Sequence, residues 1–234
     1  GDTLEMNDNS GRTISIYVGA SAGSIISTYF ATGYSLDAIF DSFLNKKRQT
    51  DDMLPDSKEL KRMTYRHIFS LRDDMTLLGT LKVLKEGASF DTLKKLFTGL
   101  TNDSIDTLFK WKWLKWPGLF STAGLEKYLK EEVLPSNDFQ AYVADLYIVA
   151  TQLNHSRKVV FGKNAFSPPD EDKTVSYVNT VNISEACAAS TALPFVFAPF
   201  PIKNERGHII YYFDGEIRDT LSTHVAHDAG ADLI

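Results

Sequence analysis

The sequence predicts an α/β domain with a helical insertion, on the strength of three observations. An apolar run, Ile14-Ser15-Ile16-Tyr17-Val18, feeds the turn Gly19-Ala20-Ser21-Ala22-Gly23, and an Ala/Ile-rich helical pattern leaves it. Strand-like runs return late in the chain, at 141–150 and 208–213. Between these ends, 73–133 carries apolar residues at helical spacing and nothing strand-like.

Taken in order, 12–18 reads as a buried strand and 22–31 as a helix, stopped by Gly33 at the C′ position. Ser35 has the chemistry of an N-cap for a second helix, with apolar Leu36, Ile39, Phe40, Phe43 and Leu44. The charged segment 46–62, with Pro55, reads as a surface connection. Met75, Leu77, Leu78, Leu81, Val83 and Leu84 suggest one helix of the insertion, and Phe90, Leu93, Leu96 and Phe97 a second. Ile105, Leu108 and Phe109 begin a third; Leu125, Tyr128, Leu129 and Val133 mark a fourth, closed by Pro135. The whole block of about 46–133 reads as an insertion or cap.

The run 141–150 alternates and then becomes wholly apolar, as a central strand does. Residues 158–161 suit its hairpin partner, and 167–172 a solvated loop. A helix of small residues is expected over 183–191, ending before Pro194. The strand 208–213 leads into Asp214-Gly215, and 222–229 reads as a last helix. Residues 1–234 thus form one domain whose two ends read as cuts. A strand about a dozen residues in leaves no room for the earlier strand such sheets normally have, and 230–234 reads as the start of a new strand.

Composition narrows the function classes. A hydrophobic content of 43% and a charged content of 24% are those of a globular protein with a sizeable core. The net charge of −5 gives no reason to expect nucleic acid as a partner. Cys187, the single cysteine, excludes an intramolecular disulfide and an all-cysteine zinc site. The five histidines make no H-E-x-x-H, so no metal or cofactor is implied. No signal peptide is visible and no apolar run is long enough to span a bilayer. A cytoplasmic or peripheral membrane location is expected, with secretion left open by the start of the chain. Oligomeric state is not legible.

Gly19-Ala20-Ser21-Ala22-Gly23 between a strand and a helix is the sequence form of a nucleophile elbow. The turn is tight enough to require small neighbours, and it presents its serine beside the next helix's N-terminus. A Gly/Ser-rich turn that merely packs a helix on a sheet would look the same. A serine nucleophile needs a base in reach, and Asp214 sits at a strand end, where open α/β sheets carry their chemistry. Asp-Gly is also a common turn, so the pattern alone leaves base and turn cap both open. His224 or His227 could complete a Ser-acid-His order with Asp214, although both fall on a predicted helix rather than on a loop. Trp111, Trp113 and Trp116, every tryptophan in the chain, alternate with lysines. That suits a membrane interface, or rings packing the cap onto the core.

Four stretches in order resemble the patatin-like phospholipases: Gly19-Ala20-Ser21-Ala22-Gly23, Ala150-Thr151-Gln152-Leu153-Asn154, 186–194, and Asp214-Gly215-Glu216. The resemblance implies a three-layer α/β/α domain with a central sheet. It implies hydrolysis of fatty-acyl esters of a lipid or phospholipid through a Ser-Asp dyad, with Ser21 as nucleophile and Asp214 as base. Gly19, Ala22 and Gly23 would frame the elbow and its oxyanion site, and Gly215 the Asp-Gly motif. There are two departures. Glu216 stands where the family usually has Gly or Ala; turned inward it would raise the pKa of Asp214, and it is expected to face solvent. The family's glycine-rich oxyanion loop has no counterpart in 1–18 and is expected upstream. An incomplete site on the same fold, serving as a lipid- or partner-binding module, is the alternative.

Overall fold

The computed structural model describes residues 14–44, 59–72, 118, 120–155, 157–164, 174–217 and 222–231. Their elements are β1 (Ile16–Ala20), α1 (Ala22–Ala31), α2 (Leu36–Leu44), α3 (Tyr65–Ile68), β2 (Ser70–Leu71), β3 (Phe120–Ser121) and α4 (Ala123–Tyr128). There follow β4 (Asp145–Gln152), β5 (Arg157–Gly162), β6 (Val175–Val178), α5 (Ile183–Ser190), β7 (Phe200–Lys203), β8 (Ile209–Asp214) and α6 (Thr223–Asp228).

The main sheet runs β6-β5-β4-β8-β7, with β1 also paired to β4. It is mixed: β1 is parallel to β4, whereas β5 and β8 are antiparallel to it. Side chains alternate across β4 as the pleat requires. Leu146, Ile148 and Ala150 join a core cluster with residues of α1, α4 and α5, while Tyr147 and Val149 join a cluster with Val225 of α6. Helices therefore cover both faces, and the domain is a three-layer α/β/α structure. Burial on both faces explains why 146–150 of β4 is apolar without a break.

Local chemistry sets the helix ends. Gly33 takes φ 87° after α1, and the Ser35 hydroxyl accepts the Ala38 N–H at 3.1 Å to start α2. At the start of α5, Asn137 Oδ1 accepts the Ser184 N–H at 2.8 Å, and Glu185 reaches back to the Asn182 N–H at 3.3 Å. Two orphan donors of that helix are satisfied before it enters the core.

Several boundaries differ from expectation. The strand expected from 141 begins at Asp145, because the Tyr142 hydroxyl folds back onto the main chain of Ser136 instead of taking a place in the pleat. The block expected to be strandless contains β3, which pairs with β2; two residues are too few for a period of two to register. β6 and β7 were not anticipated. β6 has only four residues, and Pro201 in β7 demotes a strand pattern, although β7 lies at the end of the sheet where proline is tolerated. The helix of 125–133 is present, but past Tyr128 it widens into a π-helical turn, Leu129–Val133. The helices expected in 75–109 and the loop 167–172 lie outside the described residues, as does all of 46–133 except 59–72, 118 and 120–133.

Candidate active site

The site is built by two strands that meet end to end. β1 pairs with β4 from Asp145 to Val149, and β8 pairs along the same edge at Ala150, Thr151 and Gln152. One is parallel and the other antiparallel to β4, so their C-terminal ends point at each other. Ala20 lies opposite Val149, and Asp214 opposite Ala150. Each chain must leave the sheet at this junction, and the residues that turn there are Ser21 and Gly215.

The junction brings together side chains 193 positions apart. Ser21 Oγ donates to Asp214 Oδ2 at 2.6 Å, a length typical of a hydroxyl on a carboxylate. No imidazole stands between them. Asp214 is 1% exposed; its Oδ1 accepts the Glu216 N–H at 2.9 Å, and its own N–H donates to the Ala192 carbonyl at 3.0 Å. The carboxylate is thus fixed at both oxygens, with Glu216 contributing main chain.

Ser21 has φ 52° and ψ −131°, close to the mirror image of an extended conformation and open to glycine alone without strain. Its carbonyl accepts the Ser24 hydroxyl at 2.6 Å and the Ser24 N–H at 3.0 Å. Its N–H donates to Ser190 Oγ at 2.9 Å. Gly19 is required by space, because a Cβ there would come within 2.5 Å of the Gly23 carbonyl oxygen. At Gly215 a Cβ would run into the Val149 carbonyl. Gly23 is different: a Cβ there meets nothing within 4 Å, so the elbow is open on that side. Ala22 and Gly23 begin α1, and their N–H groups have no acceptor within the helix.

A search of the curated proteins gave no match. The family model described as Patatin-like phospholipase matches residues 3–227. The chain belongs to this family. Membership carries lipid acyl hydrolysis as its broad chemistry, and the mixed sheet between helix layers fits the patatin-like domain.

Within this patatin-like domain the other sequence candidates fall elsewhere. His224 and His227 are on α6, in the layer that packs Val225 against the opposite face of the sheet, and the His227 ring lies 3.6 Å from the Asp228 carboxylate. His67 stacks on Tyr128 with centroids 4.7 Å apart, and its Nδ1 accepts the Thr64 N–H. His155 is exposed in a turn, and His208 is exposed just before β8. Trp111, Trp113 and Trp116 lie outside the described residues. Sequence reasoning missed Ser24 and Ser190, whose hydroxyls bond the main chain of Ser21, and Ala192, whose carbonyl accepts the Asp214 N–H. Ser190 was discoverable in part: a serine in a helix of otherwise tiny residues is destined for burial, and a buried hydroxyl needs partners.

Proposed function

We propose that the protein hydrolyses fatty-acyl esters of lipids through an acyl intermediate on Ser21, with Asp214 as general base. The observation that carries this reading is the 2.6 Å Ser21–Asp214 hydrogen bond at a strained strand-to-helix corner. Asp214 takes the hydroxyl proton as Oγ attacks the ester carbonyl. The tetrahedral oxyanion forms beside the N-terminus of α1, where the Ala22 and Gly23 N–H groups and the helix dipole favour negative charge. The intermediate collapses to the acyl-serine, and the departing alkoxide takes the proton from Asp214. Water then attacks the acyl carbonyl and gives its proton to Asp214; as the fatty acid leaves, that proton returns to Ser21.

A fluorophosphonate probe tests this, since it needs an activated serine and no knowledge of the natural lipid. Label is expected on Ser21, and it is lost in Ser21→Ala and Asp214→Asn. Absence of label both on this chain and on a version extended at its N-terminus overturns the hydrolase reading in favour of a lipid- or partner-binding module.

We further propose transient contact with a membrane surface through Trp111, Trp113 and Trp116, whose rings alternate with lysines. Replacing the three together is expected to weaken binding to anionic vesicles while sparing hydrolysis of a soluble ester. Equal loss on both would assign the rings to packing.

A further inference from the structure

We infer that Ser190 is a positioning residue for the nucleophile, holding the strained elbow in register with the base. The inference rests on the hydrolase reading and extends it to the third serine of the site. Ser190 closes α5, is fully buried, and uses its hydroxyl in both directions. Oγ accepts the Ser21 N–H at 2.9 Å and donates to the Val149 carbonyl at 2.6 Å.

Both partners are informative. Val149 is the β4 residue opposite Ala20, and its carbonyl is also the group against which Gly215 packs. One hydroxyl therefore ties the nucleophile's main chain to the carbonyl on which the base strand turns. The hydroxyl's single proton is committed to that carbonyl, so toward Ser21 the oxygen acts as acceptor only. Together with Ser24 on the Ser21 carbonyl, it clamps both main-chain polar groups of a residue at φ 52°. A residue in such a region persists only when its surroundings over-determine it. The same bond turns the Ser21 N–H inward, away from a bound ester, and leaves Ala22 and Gly23 as the elbow's donors to an oxyanion.

Ser184 supplies a matched control on the same helix. It too is fully buried, accepts from Asn137 Nδ2 at 2.8 Å and donates to Glu126 Oε1 at 3.0 Å, at the opposite end of α5. The experiment compares Ser190→Ala with Ser184→Ala for thermal midpoint, for the rate of fluorophosphonate labelling per folded protein, and for kcat and KM on a soluble ester. Both variants are expected to melt earlier. Only Ser190→Ala should label slower, on the order of ten- to a hundredfold, with the loss in kcat and KM nearly unchanged. Ser190→Cys, close in volume but with a weak donor and acceptor, should fold and fall between the two, which keeps the test decisive should Ser190→Ala not fold. Wild-type labelling rates in the Ser190 variants, or an equal loss in Ser184→Ala, overturn the inference alone. Absence of label both on the wild-type chain and on a version extended at its N-terminus overturns the hydrolase reading and this inference with it.

Discussion

At Ser21 the backbone and the side chain make opposing demands. The hydroxyl has to stand clear of the sheet and reach Asp214, and the φ of 52° that achieves this is one a residue with a Cβ resists. Ser21→Ala and Ser21→Gly should therefore both abolish ester turnover yet differ in stability. Glycine relieves the strain, and its urea midpoint should exceed that of the alanine variant by the equivalent of about 1 kcal/mol or more. Identical midpoints would mean that the turn stores no strain. Asp214→Asn keeps the shape of the side chain and removes its charge. It should eliminate turnover and keep stability within about 1 kcal/mol of wild type; a larger loss would recast the aspartate as structural. The serine and the aspartate were legible because each sits in a short motif at a strand end. Their partners were not, because Ala192 and Glu216 act through main-chain groups that have no sequence signature.

At the scale of elements, the end-to-end meeting of β1 and β8 concentrates steric demand at two glycines. Gly19→Ala forces its Cβ against the Gly23 carbonyl and Gly215→Ala against that of Val149, so each should destabilise by about 2 kcal/mol or more. Gly23→Ala meets open space in a helix and should leave stability unchanged or raise it by up to about 1 kcal/mol. Chemical denaturation of the three variants distinguishes a space requirement from simple loss of flexibility, which would affect all three alike. The motif Gly-x-Ser-x-Gly thus contains one glycine whose small size the described structure demands and one whose size it does not. The sequence could not separate them, since the obstruction at Gly19 comes from the fold of the turn itself. Longer elements were legible for the opposite reason. β4, α1 and α5 carry their burial pattern in their own residues, whereas β3 and β7 exist only because a partner strand is in place.

Across the molecule, the apolar layer between sheet and helices also holds protonated hydroxyl and thiol groups. Burial pushes the Cys187 thiol from 9.0 up to about 12, and the Tyr128 and Tyr212 hydroxyls from 10.0 up to about 12. The folded protein keeps these protons at pH values where the unfolded chain gives them up. Their contribution to stability is complete below about pH 9 and is lost as pH rises toward 12. The urea midpoint should fall across that window, and Cys187→Ala should move the onset upward, toward 10, because only the tyrosines then remain. An onset that stays put would remove Cys187 from the cause. The same burial should protect the native thiol from a water-soluble disulfide reagent at pH 8, with reaction only on unfolding.

The meeting of β1 and β8 also orders events in time. Ser21 is synthesised first, and the carboxylate it bonds arrives 193 residues later, at the end of β8. Until β8 has been made the elbow has no Asp214 to bond, and a chain stopped before 209 never acquires one. Under the proposed mechanism, copies that stop before β8 have no general base and are expected to leave lipid esters intact.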